Sequence, residues 1–176
     1  MDTLSCIEKR RSVRSYTDKP VERETIKRLV SAAQLAPSWK NTQTTRFTAI
    51  TNKDTLNEIC ATLGDWNQKI VSNAPLLLVV SAITGHSGYG SSGNPTIYGE
   101  GYTFFDCGTS VENLCLAATD LGIGTVILGL FDPQKLKEIA KVPDGEEVLV
   151  LIACGYYEND PPANTRLPIE DVLRFV

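Results

Sequence analysis

Hydrophobic and polar residues alternate along the chain with two periods, one typical of helices and one typical of strands. Ile26, Leu29 and Val30 follow the helical period, which predicts an amphipathic helix over residues 22–35. Pro37 follows this segment, and the residue before a proline is pushed out of the helical region. We therefore expect the helix to end just before Pro37.

The same two periods divide the rest of the chain into alternating helices and strands. Further helices are predicted at residues 2–10, 54–63, 103–121 and 133–140, and strands at residues 46–51, 76–83, 125–130 and 148–156. This order predicts an α+β fold with one layer of sheet, although alternation alone also permits a doubly wound sheet. Neither an internal repeat nor a linker is evident, so we expect residues 1–176 to form a single domain.

Two segments do not follow either period. Residues 84–102 are rich in Gly, Ser, Asn and Tyr, and loops of this length are usually functional or mobile. The tyrosines of this segment, Tyr89, Tyr98 and Tyr102, are candidates for substrate selection, and the alternative is that they only pack within the loop. The tail contains three prolines and ends in a short segment at 169–175.

Composition and charge exclude several classes of protein. The net charge is −4 and the pI about 5.1, which argues against a nucleic-acid partner. Apolar runs are too short to cross a membrane, and the N-terminus MDTLSCIEKRR lacks the apolar region of a secretory signal. Five cysteines without a C-x-x-C pair argue against a disulfide framework. Reduced thiols indicate a cytoplasmic protein.

The first candidate site is the basic cluster Arg10-Arg11-Ser12-x-Arg14. Guanidinium groups pair with phosphate through two parallel hydrogen bonds, and the serine hydroxyl adds a neutral donor. A cluster this short suits one bound anion better than a long polyanion. The alternative is an ordinary solvated helix end.

The second candidate is the segment 36–43, APSWKNTQ, between a predicted helix and a predicted strand. It supplies a flat indole ring, two amides and a hydroxyl, which match the donors and acceptors at the edge of a planar heterocycle. The alternative is a plain loop that stops the helix.

The glycines at 122–129 do not form a dinucleotide fingerprint. That motif needs G-x-G-x-x-G between a strand and a helix, whereas Ile127 replaces the third glycine and the order is helix then strand. Gly129, at the end of a predicted strand, can instead let a ligand approach the backbone closely. The only histidine, His86, has no neighbouring partner for a catalytic triad.

Four segments together resemble the nitroreductase family of FMN flavoproteins. They are R-R-S-x-R at 10–14, A-P-S-x-x-N-x-Q at 36–43, D-x-G-x-x-x-x-N-L-x-L-A-A-x-x-L-G-x-G-T at 106–125, and the closing G-Y…R-x-P-x-E-x-V at 155–172. They occur in the family's order across nearly the whole chain. The resemblance implies a nitroreductase-like α+β fold, with a central, mostly antiparallel sheet flanked by helices, in an intertwined homodimer that holds two FMN molecules at its interface.

The resemblance also implies roles for particular residues. Arg10, Ser12 and Arg14 would hold the FMN phosphate and ribityl chain, with Arg11 and Arg166 assisting. The residues expected near the flavin ring are Pro37, Ser38, Trp39 and Asn41 from the partner subunit, Asn67 and Lys69 at the pyrimidine edge, and the backbone of Ile127, Leu128 and Gly129 at the reactive edge.

The chemistry implied by the resemblance belongs to the cofactor. NADH or NADPH would reduce the flavin and leave. A nitroaromatic, a quinone or a similar small-molecule acceptor would then bind in the same place, in a ping-pong scheme that needs no side-chain nucleophile. The alternatives are an FMN-binding carrier or sensor without turnover, and an interaction domain without a cofactor.

Overall fold

The computed structural model describes all residues from 1 to 176 and contains seven α-helices and four strands. The helices are α1 (Thr3–Lys9), α2 (Arg23–Gln34), α3 (Lys53–Cys60), α4 (Asp65–Val71), α5 (Gly101–Asp120), α6 (Pro133–Ile139) and α7 (Ile169–Val172). The strands are β1 (Thr45–Ile50), β2 (Leu76–Ile83), β3 (Ile123–Leu128) and β4 (Glu146–Tyr156). A short 3₁₀ turn covers Trp39–Asn41. The α+β prediction is confirmed.

The four strands form one sheet in the order β1-β2-β4-β3, and every neighbouring pair is antiparallel. The doubly wound parallel alternative is therefore wrong. Strands β2 and β4 occupy the centre, which explains why β2 is buried along nearly its whole length and is apolar except for Ser81. Strands β1 and β3 are the edges.

Side chains of β2 alternate between two hydrophobic cores, one on each face of the sheet. Leu77 and Val79 point into the core that α3, α4 and α6 cover. Leu76, Leu78 and Val80 point into the core that α2 and α5 cover. This alternation follows from the two-residue period of a strand. The sheet is thus a layer between two sets of helices.

The predicted elements lie close to the observed ones, with two exceptions. Helix α4 and the 3₁₀ turn were not predicted, and α5 begins at Gly101, inside the segment expected to be loop. Gly64 is the N-cap of α4, with a φ angle of −66° and a ψ angle of 154°. Because α3 and α4 are both short and lie close together in the sequence, the hydrophobic period does not distinguish α4 as a separate helix.

All five cysteines are unpaired and buried. Burial raises the pKa of the Cys107 thiol to about 11 and that of Cys154 well above its usual value. They are packing residues of the core, where a free cysteine behaves as a small apolar side chain. None of the helices has the length and apolar character needed to cross a membrane.

Large apolar side chains are exposed at many positions, and three of the places where several occur together are α1, α5 and the tail. Leu4 and Ile7 lie on α1, and Phe104 and Phe105 lie on α5 with 60% and 64% of their surface exposed. The third place is the tail, residues 157–176, which is exposed over most of its length and carries Leu167, Ile169, Val172, Leu173 and Phe175. Apolar surface of this extent marks an interaction surface.

Candidate functional site

The basic cluster is fixed along the outer edge of β3. The Val13 amide donates to the Thr125 carbonyl at 2.9 Å, and Ser12 and Thr125 form a parallel bridge. Gly124 makes this approach possible, because a Cβ at that position would lie 2.6 Å from Cβ of Val13. The strand that ends in Ile127–Gly129 therefore also positions the cluster at 10–14.

The guanidinium groups of the cluster keep donors free for a ligand. Arg11 donates to the carbonyl oxygens of Glu8 and Arg10 at 2.5 and 2.8 Å, and Arg14 donates to the Ser12 carbonyl at 3.1 Å. Each of these contacts uses only one nitrogen, Nη1, of the five-donor fork. Arg14 is exposed and Arg10 and Arg11 are partly exposed, and guanidiniums with unused donors suit an anion.

Arg10 makes the one ion pair in this cluster. Its Nε lies 3.7 Å from Oε1 of Glu112 on α5, and half of the Glu112 side chain is exposed. A pair of this length at the surface contributes little to stability. It orients Arg10 without occupying its guanidinium fully.

The end of β3 opens to the outside. Ile127 is 46% exposed while Leu128 is buried, so only the backbone of Leu128 can face a ligand there. Gly129 is exposed, and no atom lies within 4 Å of the place where its Cβ would be. The close backbone approach predicted for Gly129 is thus sterically open.

Helix α4 lies beside this strand end. The amide of Asn67 donates to the Leu130 carbonyl at 2.9 Å, and Asn67 is buried. Its amide nitrogen therefore holds the chain after β3. Lys69 is exposed on the same helix, and its ammonium group forms no hydrogen bond or ion pair within the chain.

Residues 37–43, here called the Trp39 loop, have an unusual backbone. Lys40, Asn41 and Gln43 adopt positive φ angles of 46°, 58° and 49°, which cost non-glycine residues of order 1–3 kcal/mol each. Ser38 Oγ accepts a hydrogen bond from the Gln43 amide at 3.0 Å and closes the loop. Such strain persists only where the surroundings hold the loop in place.

A buried carboxylate provides part of that support. Asp106 on α5 is 2% exposed, and its two oxygens accept the Trp39 amide at 3.0 and 2.9 Å. One of them also accepts the Ser87 hydroxyl at 2.6 Å. Asp106 is the first residue of the sequence motif at 106–125, but no role was predicted for it. The available signal was a charged residue in the apolar stretch of a long helix, which needs a partner when buried.

The Trp39 side chain is also held within its own chain. Its indole nitrogen donates to the Tyr89 carbonyl at 2.9 Å, and its ring lies 4.4 Å from the Tyr102 ring, centre to centre. Pro37 and Asn41 are exposed. Of the four residues predicted in this loop, Pro37 and Asn41 are the freest to reach a second molecule.

The loop at 84–102 is folded around Glu100. The Glu100 carboxylate accepts hydrogen bonds from the Gly85 amide at 2.7 Å, the Tyr89 hydroxyl at 3.0 Å and the Thr103 hydroxyl at 2.8 Å. The bond to Glu100 raises the pKa of Tyr89. Tyr98, in contrast, is 71% exposed and touches the Tyr102 ring only edge-on at 6.2 Å.

A cleft of about 530 Å³ lies against the Trp39 loop, between α2, α5 and β1. Ser38, Gln43, Arg46 and Asp106 line it with apolar residues of α2. The basic cluster does not line this cleft. The two candidate regions are thus separate within one chain.

Helix α5 separates the two regions. Glu112 contacts the basic cluster, and Asp106 contacts the Trp39 loop. Six residues along an α-helix correspond to about 9 Å of rise and a rotation of about 120° between the two side chains. The basic cluster and the Trp39 loop of one chain therefore lie at different faces of this helix.

The remaining predicted residue, Arg166, lies in the exposed tail. Its side chain forms no hydrogen bond or ion pair within the chain, and the structure does not bring it into contact with the basic cluster. Met1, in contrast, contacts Asp120 at the end of α5.

Comparison with known proteins places this architecture in a family. The nitroreductase family model matches residues 7–64 and 58–156, which include the basic cluster, the Trp39 loop and the end of β3. The chain belongs to the nitroreductase family.

Relatives within the nitroreductase family span nearly the whole chain. A protein of Archaeoglobus fulgidus, whose name assigns it to the NADH dehydrogenases or NAD(P)H nitroreductases, is 29% identical over 90% of this chain and 87% of its own length. An FMN reductase [NAD(P)H] of Bacillus subtilis is 26% identical over 97% of this chain and 72% of its own.

Solved structures show the same nitroreductase fold. A nitroreductase family protein of Streptococcus pneumoniae superposes with a TM-score of 0.87 at 24% identity, over 99% of this chain and all of the other. The NADPH:FMN oxidoreductase of Vibrio harveyi, complexed with NAD+, gives 0.83 at 24% identity, over 98% of this chain and 76% of its own. Both likenesses establish the fold.

Proposed function

We propose that this protein is an NAD(P)H-dependent FMN oxidoreductase that reduces nitroaromatics, quinones or similar electron-poor acceptors. One observation carries the proposal. The segment that carries three arginines with unused donors is hydrogen-bonded to β3, and the backbone at the end of the same strand, at Gly129, is open to a ligand. The names of relatives support the chemistry, since they include an FMN reductase [NAD(P)H] and an NADPH-flavin oxidoreductase.

The residues at the basic cluster fit the phosphate of FMN. Arg10, Arg11 and Arg14 supply charged donors and Ser12 a neutral one, as recognition of a phosphate monoester requires. FMN would supply the hydride chemistry when bound. The chain's part is to hold the phosphate, to leave space at Gly129 and to present backbone amides beside the ring.

We propose that the working unit is a homodimer with composite sites. The basic cluster and the Trp39 loop lie at different faces of α5, which agrees with sites in which the two regions come from two chains. In a two-fold dimer each surface is used twice, which gives two sites, each with one chain's cluster and the partner's Trp39 loop. The exposed Phe104 and Phe105 supply apolar surface for the contact between the two chains.

Four further assignments belong to the same proposal. Arg166 closes on the phosphate from the tail, and Lys69, together with Asn67, lies near the pyrimidine edge of the ring. Ile127, together with Leu128 and Gly129, presents backbone amides at the reactive edge. The unpaired thiols fit the cytoplasmic setting that the sequence predicts.

The first experiment is the visible absorption spectrum of the purified protein, with the released cofactor identified by mass. We expect a flavin spectrum and about one FMN per chain, as two sites in a dimer require. A colourless protein that also takes up no added FMN would remove the proposal.

The second experiment separates an enzyme from a carrier or sensor. The bound flavin is reduced anaerobically with NADH or NADPH and then mixed with a nitroaromatic or a benzoquinone. We expect rapid reduction and rapid reoxidation. Steady-state rates at varied concentrations of both substrates should give parallel double-reciprocal plots, which are the signature of a ping-pong mechanism. Flavin that stays oxidised under excess NAD(P)H contradicts the enzyme, and slow reoxidation by every acceptor favours the carrier.

A further inference from the structure

Asp106 joins three segments that are distant in the sequence. It belongs to α5, it accepts the backbone amide of Trp39 with both oxygens, and it accepts the hydroxyl of Ser87 in the 84–102 loop. The carboxylate and the Ser87 side chain are both buried. No lysine, arginine or histidine forms an ion pair with it, so its hydrogen bonds are its only partners.

The two loops that Asp106 joins also contact each other directly. The Trp39 indole donates to the Tyr89 carbonyl, Lys40 Nζ lies 3.3 Å from Ser91 Oγ, and the Trp39 ring packs on Tyr102. The Trp39 loop and the 84–102 loop therefore form one wall. Asp106 is the buried point from which both loops are held.

The backbone of the Trp39 loop needs this support. Three of its non-glycine residues have positive φ angles, and a loop in such a conformation relaxes when its anchors are removed. The hydrogen bond to Asp106 fixes the amide of Trp39, directly between Ser38 and the strained residues. Loss of this bond should release the segment that carries Ser38 and Asn41.

We propose that Asp106 is a positioning residue of the flavin site: it sets the conformation in which the Trp39 loop and the 84–102 loop together face the cofactor of the partner subunit. This inference rests on the proposed FMN function. Asp106 does not touch the cofactor itself, because it is only 2% exposed and both of its oxygens accept hydrogen bonds from within the chain. It acts through the backbone of Trp39 and through Ser87.

The test uses Trp39 as its own reporter. The chain has two tryptophans, and Trp66 is 70% exposed on α4, so Trp66→Phe leaves Trp39 as the only source of tryptophan emission. Asp106→Ala, Asp106→Asn and Ser110→Ala are made in this background of the full chain. The emission maximum, acrylamide quenching, Tm and FMN Kd of each variant are measured.

Ser110→Ala is the matched control. Ser110 lies one turn further along α5, is also buried, and donates to the Ala33 carbonyl of α2 at 3.0 Å. Its removal breaks a buried hydrogen bond of the same helix without touching the Trp39 loop. It should lower the Tm and leave the emission and the Kd unchanged.

Asp106→Ala should shift the Trp39 emission to longer wavelength, increase its quenching and raise the FMN Kd at least about tenfold, because it removes hydrogen bonds to a charged group. Asp106→Asn should restore the parent emission and a Kd within about threefold, since its oxygen can accept the Trp39 amide and its NH₂ can donate to Ser87. Parent-like emission and Kd in Asp106→Ala overturn the inference. An Asn variant that behaves like Ala also overturns it, because geometry would then not be the cause.

Two further outcomes are kept apart. If Asp106→Ala does not fold, Ser87→Ala replaces it and should shift both readouts in the same direction by a smaller amount; unchanged readouts there overturn the inference. If the parent protein binds no FMN, the proposed function fails, while the emission comparison still decides whether Asp106 positions the loop.

Discussion

Arg10 and Arg14 make few contacts within the chain and keep hydrogen-bond donors available for an anion. Arg10 has one long contact, to Glu112, and Arg14 one contact to a neighbouring carbonyl. Neither contact contributes much stability at an exposed position. Substitution there should therefore affect binding far more than folding.

Replacement of both residues, Arg10→Ala with Arg14→Ala, should abolish FMN binding at micromolar concentrations. Each loses a charge-assisted hydrogen bond of about 1.5–3 kcal/mol. The measurement is the FMN Kd by titration of flavin-free protein. The control is Arg23→Ala with Arg28→Ala, two exposed arginines of α2, which removes the same charge. A cluster variant that purifies with full flavin shows that the phosphate binds elsewhere.

At the residue scale, the sequence predicted the charged and hydrogen-bond-donating residues of the site better than the long-range contacts between residues. The cluster at 10–14 could be found because several guanidiniums within five residues are rarely needed for folding. Asp106 could not be found in this way, since its partners, the Trp39 amide and the Ser87 hydroxyl, are 67 and 19 residues away. The commitment of Asn67 to the Leu130 carbonyl is a contact of the same long-range kind.

At the scale of elements, β3 connects the two ends of the proposed cofactor site. Its first half pairs with the segment at 12–13, and its second half ends at the open Gly129. The spacing between phosphate donors and backbone amides is therefore fixed by one strand. The strand in turn depends on Gly124, where no side chain can be accommodated against Val13.

Gly124→Ala should destabilise the fold and weaken FMN binding together. Its Cβ would lie 2.6 Å from Cβ of Val13, and such overpacking costs about 1–3 kcal/mol. Because Val13 must move, the neighbouring arginines move with it. Urea unfolding and the FMN Kd measure the two effects.

Gly64→Ala is the comparison for this prediction. Gly64 has no atom within 4 Å of its Cβ position and a negative φ angle of −66°, so the FMN Kd should stay near the parent value, and the free energy of unfolding should fall only as far as alanine is a poorer N-cap of α4 than glycine. If Gly124→Ala also leaves the Kd unchanged, β3 does not position the cluster.

The hydrophobic period predicted nearly every element, because the side chains from Leu76 to Val80 alternate between the two cores and the helices that cover the sheet turn an apolar face toward it. The pattern failed where elements are short. Helix α4 has seven residues and follows directly on Gly64, and the 3₁₀ turn at Trp39–Asn41 has left-handed backbone at Lys40. Such turns are held by tertiary contacts, which no local pattern contains.

At the scale of the whole molecule, the exposed phenylalanines of α5 are the surface that we propose for the contact between two chains. Phe104→Lys should shift the protein from dimer to monomer in light scattering, because burial of one phenylalanine contributes about 1.5–3 kcal/mol and a two-fold interface loses it twice. FMN should be lost with the dimer, since the partner's Trp39 loop is then absent.

Asn57→Lys is the control, because Asn57 is an exposed polar residue of α3 and gains the same charge. It should remain a dimer with full flavin. A Phe104→Lys protein that stays dimeric and yellow would place the interface elsewhere. A monomer that keeps its FMN would contradict composite sites.

Because all five thiols are buried, we expect the native protein not to react with thiol-directed reagents. Maleimides and disulfide reagents react with accessible thiolates, and burial leaves none of the five accessible; for Cys107 and Cys154 it also raises the pKa. A single cysteine introduced at an exposed position, such as Tyr98→Cys at the tip of the 84–102 loop, would therefore be the only residue to take up a label. The natural sequence can serve as its own cysteine-light background for spectroscopic probes of that loop.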